Sequence, residues 1–214
     1  DTSVQTLYGI LDREDGATVA LGDLHQRILS AASPSNPAAR TVSTGVPALG
    51  NKGWYLNLPA GERFVGYPNI LSGAVMMPTY TPNMGGGGGC STAGFNWLFG
   101  LDARTGAPAM SQIRFGSTTG PTQAEGVGAV ALDTGGTAPI KNVEVMVTTL
   151  LENPTPPPPG EDAECDEDDP DCVEELPPPP APPTEKCWAR ALVSGAPPMF
   201  RPYMCGRLSW RQIQ

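Results

Sequence analysis

The sequence predicts an all-β protein, and three observations carry that prediction. Short runs rich in β-branched and aromatic residues recur along the chain, each bounded by Gly, Pro or Asp turns. One apolar run, Trp97-Leu98-Phe99-Gly100-Leu101, leads directly into Asp102-Ala103-Arg104-Thr105-Gly106, the pattern of a propeller-blade hairpin. Helical periodicity appears at a single short place. The fold class expected is therefore a β-propeller of quinoprotein-like blades, represented here by a C-terminal part of a larger propeller.

The strands follow in order. Leu7-Tyr8-Gly9-Ile10-Leu11 is a short apolar run closed by Asp12-Arg13-Glu14-Asp15-Gly16, with 17–21 expected as its return strand. Residues 22–29 hold the helical pattern: Leu21, Leu24, Ile28 and Leu29 share a face at a period of 3.6, although two turns are marginal alone. Residues 53–58 end at Pro59-Ala60-Gly61. Residues 62–70 lead through the tight turn Leu71-Ser72-Gly73 to a strand over 74–80. Residues 95–101 form the strand of the blade hairpin. In its turn the Asp and Thr side chains can bond the backbone, and Gly accepts a positive φ. Tyr8 to Gly16 reads as a degenerate earlier copy. Such hairpins occur in quinoprotein dehydrogenases and in non-enzymatic propellers, so they speak to fold and not to activity. Further strands are expected over 127–132, 143–151, 187–194 and 207–213.

Charge and proline partition the chain. It has 214 residues, with 13 Lys and Arg against 22 Asp and Glu, and 25 Pro. Ten of the acids lie in residues 161–175, and without them 12 acids face 13 bases. Twelve of the prolines fall between Pro154 and Pro183. Poly-Pro runs favour extended polyproline II, and a tract with so few apolar residues does not offset its ordering entropy. The expected organisation is propeller blades over 1–152, a disordered Pro-rich acidic insert over 153–185, and closing strands over 186–214. The acidic balance argues against nucleic acid or an anionic membrane as partner, since both need a basic face. No apolar run is long enough for a transmembrane segment. Without an initiating Met or a signal-like start, the chain is expected to begin after a processing site or to be a fragment.

The candidate chemistry is sparse. Gly85 to Gly89 lack the Lys and the following helix that a phosphate-cradling loop needs, and read as a surface loop. Five cysteines stand at 90, 165, 172, 187 and 205. Cys165 with Cys172, and Cys187 with Cys205, are disulfide candidates, and Cys90 is left unpaired or pairs outside the chain. Zinc would want closer spacings and His, and His25 is the sole imidazole. Asp166, Asp168, Asp169 and Asp171 are weak calcium candidates. They offer clustered oxygens but lack the Gly and the bidentate Glu of an EF-hand loop. His25 reads as structural. Glu62, Asp102, Glu125, Asp133 and Glu144 are isolated acids that no spacing pairs as an acid/base couple. No catalytic residue and no cofactor site is expected.

Several segments together resemble one known family. Gln5-Thr6-Leu7-Tyr8-Gly9-Ile10-Leu11-Asp12 is similar to the QTLYGIWD blade of the PilY family of type IV pilus tip proteins. Gly22-Asp23-Leu24 with Gln26-Arg27-Ile28, then Lys52-Gly53-Trp54-Tyr55-Leu56-Asn57-Leu58, resembles its KGWYLDL signature. Pro59-Ala60-Gly61-Glu62-Arg63-Phe64-Val65 resembles its GERV strand. Cys90 with the hairpin over 97–106 is similar to its GGTSWLxELDxxTG element, and Cys205 to Ile213 to its GRISWREL terminus. The order is the family's own, over most of 1–150 and 187–214.

The resemblance implies a non-enzymatic C-terminal propeller of a large secreted protein, located at the pilus tip with the minor pilins. It implies roles in pilus assembly, twitching motility and surface adhesion, with the variable N-terminal part absent here. The calcium-binding loop of some members has no match in this sequence. About 180 globular residues supply three or four blades of 40–45 residues, so closing strands are expected from elsewhere. Contact with a partner is expected on strands 53–58, 143–151 and 207–213, with Trp54, Tyr55 and Trp210 as candidates. Two other readings remain: a quinoprotein-type oxidoreductase, and a secreted scaffold whose acidic arm binds cations.

Overall fold

The computed structural model describes residues 3–14, 16–32, 37–82, 94–132, 138–152 and 184–205. Among them are thirteen strands and two 3-10 turns, arranged in three sheets. The first sheet has the order β1-β4-β2, from Thr6–Ile10, Gly53–Asn57 and His25–Arg27. The central sheet runs β3-β10-β8-β7-β5, with β6 also on β7. Its strands are Ala39–Thr41, Val127–Leu132, Gly94–Asp102, Ala74–Pro82, Arg63–Phe64 and, for β6, Asn69–Leu71. The third sheet is β11-β12-β13-β9, from Glu144–Glu152, Thr184–Leu192, Met199–Tyr203 and Arg114–Phe115.

Side-chain alternation in the central sheet explains how the layers stack. In a strand, neighbouring residues point to opposite faces. Trp97, Phe99 and Leu101 of β8, with Met77 of β7 and Ala129 of β10, pack against Leu7, Trp54 and Leu56 of the first sheet. Leu98, Met76, Val130 and Leu132 point the other way, against Ala189, Ala191 and Met199 of the third. The central sheet is thus apolar on both faces. That is why β8 reads as an unbroken hydrophobic run and not as an alternating one. A register shift in β10, between Val127 and Ala129, turns Val127 to the same core as Val130.

Two expectations are corrected. Residues 22–29 form no α-helix: a 3-10 turn, Leu21–Asp23, is followed by β2, which pairs in parallel with β4 through His25↔Trp54 and Arg27↔Leu56. Ile28, which the helix would have placed beside Leu24, is 63% exposed, whereas Leu24 is buried. Eight residues do not repay helix nucleation when a neighbouring strand offers backbone partners. Residues 17–20 are irregular and are not the return strand of β1. That partner is β4, with Tyr8↔Tyr55 and Gly9↔Trp54 in register, and β4 brings Trp54 and Leu56 to the core. The expected run over 62–70 breaks into β5 and β6, with Gly66 against the Lys141 backbone between them. The strands β3, β9 and β13 have no counterpart among the expected elements.

The pairing of β11 with β12 runs end to end, from Glu144↔Leu192 to Glu152↔Thr184. The segments on either side of residues 153–183 are therefore two arms of one hairpin.

Candidate functional site

The motifs read from separate parts of the sequence meet at one junction. The turn after β8 forms as its residue types require. Asp102 Oδ1 accepts hydrogen bonds from Thr105 N and Thr105 Oγ1 at 2.8 Å and from Arg104 N at 3.1 Å. Gly106 takes φ +68°. The Trp54 ring lies against this glycine and against Gly9, occupying the space that a Cβ at either would need. Trp54 Nε1 donates to Ala103 O at 3.2 Å. Trp54 is therefore a core residue, 3% exposed, and of the two neighbouring aromatics only Tyr55 faces outward.

Arg27 closes the junction from the third side. Its side chain is buried, and Nε and Nη2 donate to Thr105 O at 2.9 and 2.7 Å. Nη1 donates to Ser43 O and Gly45 O at 2.9 and 2.7 Å. Burial pushes its pKa down from the ordinary arginine value, and the Asp102 charge opposes that shift. The pKa of His25, two residues earlier, is lowered by burial and then by the Arg27 charge. Chemically, this junction fastens β2, the 43–45 loop and the Asp102 turn together through one guanidinium.

A second buried polar cluster ties the central sheet to the loop before β5. Glu62 is fully buried, pairs with Arg40 at 2.6 Å and accepts from Thr79 Oγ1 at 2.5 Å. Arg40 lies over the Trp97 ring, 3.8 Å from its centroid. Sequence spacing left Glu62 unpaired because its partners stand 22 and 17 residues away on two different strands. Arg27 was missed for the same reason, as Thr105 lies 78 residues on.

Of the cysteine candidates, Cys187 on β12 and Cys205 beyond β13 form a disulfide, with Cα atoms 5.1 Å apart. Cys90, Cys165 and Cys172 lie outside the described residues. So do the weak calcium candidates Asp166, Asp168, Asp169 and Asp171, the aromatic candidate Trp210, the glycine run 85–89 and the strand expected over 207–213. Among the described residues, no three or more His, Cys, Asp and Glu side chains gather as a metal site.

The outward face near Tyr55 is aromatic. Tyr8 stacks on Tyr55 with ring centroids 6.3 Å apart and planes at 29°. Two buried donors on β12, Trp188 Nε1 and Arg190 Nε, have no hydrogen-bond acceptor.

Over 99% of its length the chain is 30% identical to a type IV pilus biogenesis factor, a PilY1 homologue of Xylella fastidiosa, and it spans 14% of that protein. No family model and no solved structure gives a significant match.

Proposed function

The chain belongs to the PilY family of type IV pilus biogenesis factors, and from that membership we propose that it is a non-enzymatic propeller segment of a pilus-tip protein. In this reading it docks on minor pilins, and it supports pilus assembly, twitching motility and surface adhesion as part of a longer protein with an N-terminal region. The observation that carries the reading is the match along nearly the whole chain to a pilus biogenesis factor.

The fold supports the propeller part. Three successive sheets packed face to face, with one core between each pair, are what three consecutive blades present. The parallel pairing of β2 with β4 makes the first sheet irregular for a blade. The Cys187–Cys205 disulfide fits export to an oxidising compartment and an extracellular location. Among the described residues, no helix is long and apolar enough to cross a membrane.

The test is genetic and biochemical together. A piliated bacterium lacking its own copy is complemented with the full-length protein, intact or without this segment. The expected result is loss of surface pili, twitching zones and surface attachment without the segment, and loss of minor pilins from pull-downs of sheared pili. Normal motility and undiminished recovery of minor pilins would refute the proposal.

A further inference from the structure

We infer that the outward face of the first sheet is covered, in the longer polypeptide, by another β-sheet of the same chain. This rests on the propeller part of the proposed function and not on the pilus role.

Alternation in β1 and β4, and the register of β2, place Tyr8, Ile10, Tyr55, Asn57, Gln26 and Ile28 on that side. None of them is charged. A sheet face meant for water alternates to polar residues and usually carries Lys or Glu. Here Tyr8 is 56% and Ile10 50% exposed, and the stacked tyrosine pair stands in the open. Burying such a face contributes about 25 cal/mol for each Å² of apolar surface.

Three features select the occupant. A neutral face offers nothing to a strongly acidic or basic partner. Face-to-face stacking through apolar side chains already occurs twice in this molecule, on both sides of the central sheet. The chain also spans only 14% of the relative it matches, so that protein has ample further sequence to supply a sheet. Size decides against free association. Three strands of up to five residues make a face of about 17 by 14 Å, roughly 240 Å². A stable interface between separate molecules needs about 800 Å² on each side. A tethered sheet escapes most of the association entropy and can hold on a smaller patch.

The experiment compares the 214-residue chain with the full-length protein that contains it, both purified without pili. Tetranitromethane nitration of Tyr8 and Tyr55 is followed by peptide mass spectrometry against an added tyrosine peptide. Both tyrosines should react in the short chain and be protected about tenfold in the long one. Ile10→Asp should lower the unfolding temperature of the long protein and leave that of the short chain nearly unchanged. Equal nitration in the two proteins, or an equal effect of Ile10→Asp, would overturn the inference. So would protection of the short chain that grows with its concentration, which assigns the face to a second copy. Protection of the long protein that appears only when minor pilins are added would overturn it as well. A failed pilus role leaves all of these readouts unchanged.

Discussion

Arg27 carries its charge where water barely reaches it, and three backbone carbonyls take the place of solvent. Removing the guanidinium while keeping the stem isolates that role. Arg27→Met should lower the stability of folding by about 3 kcal/mol, because the carbonyls of Ser43, Gly45 and Thr105 stay buried without donors. Urea denaturation midpoints at pH 7.5 measure this. The neighbouring imidazole adds a pH dependence of definite sign. The pKa of His25 is lowered from 6.5 in the folded state, by burial and by the Arg27 charge. As pH falls through 6.5, the unfolded chain takes up a proton more readily than the native state does. The contribution of His25 to stability is therefore complete above 6.5 and is lost below it. His25→Gln should reduce the fall in denaturation midpoint between pH 7.5 and 5.5, and an unchanged slope would count against this account.

At the scale of elements, β12 and β13 come late in the chain yet supply half of one core through Ala189, Ala191 and Met199. The disulfide fixes this pair, closing a sequence separation of 18 residues. Cys205→Ser should cost about 3 kcal/mol by the loop-closure argument. The same loss should appear in the unmutated chain under reductant, and thermal unfolding with and without dithiothreitol checks both. The element scale also shows what the sequence discloses and what it hides. The Asp102 turn was legible because all its bonds are local: Asp, Thr and Gly satisfy one another within five residues. The strands over 74–80, 95–101 and 127–132 were legible as apolar runs. The partner of β1 was not, because β4 lies more than 40 residues away and nothing local selects it over 17–21. The pattern over 22–29 misled because a buried Arg27 makes a strand position look polar. Of the candidate site residues, Trp54 could not be assigned to the core until Gly9 and Gly106 were seen on either side of its ring.

For the whole molecule, the charge distribution follows the topology. Residues 161–175 hold ten of the 22 acids and lie within the connection between two arms already paired at Glu152↔Thr184. Replacing 153–183 by an Asn-Gly turn should leave the sheet intact, since a two-residue connection suits an antiparallel pair. Circular dichroism and the unfolding temperature should match or exceed those of the parent chain. The same variant should lose most of the net charge of −9 and elute from an anion exchanger at far lower salt. A large drop in unfolding temperature would mean that the segment contributes to the core.

The two-faced central sheet has a consequence for how the protein is made. A chain that emerges from its N-terminus completes β7 and β8 well before β12 and β13 exist. During that interval Met76 and Leu98 have no cover, although the opposite face can already meet Trp54 and Leu56. Long, apolar, unpaired surfaces of this kind aggregate when exposed. The last-synthesised strands thus act as the step that removes a hazard created earlier, and their arrival sets how long the nascent chain depends on chaperones.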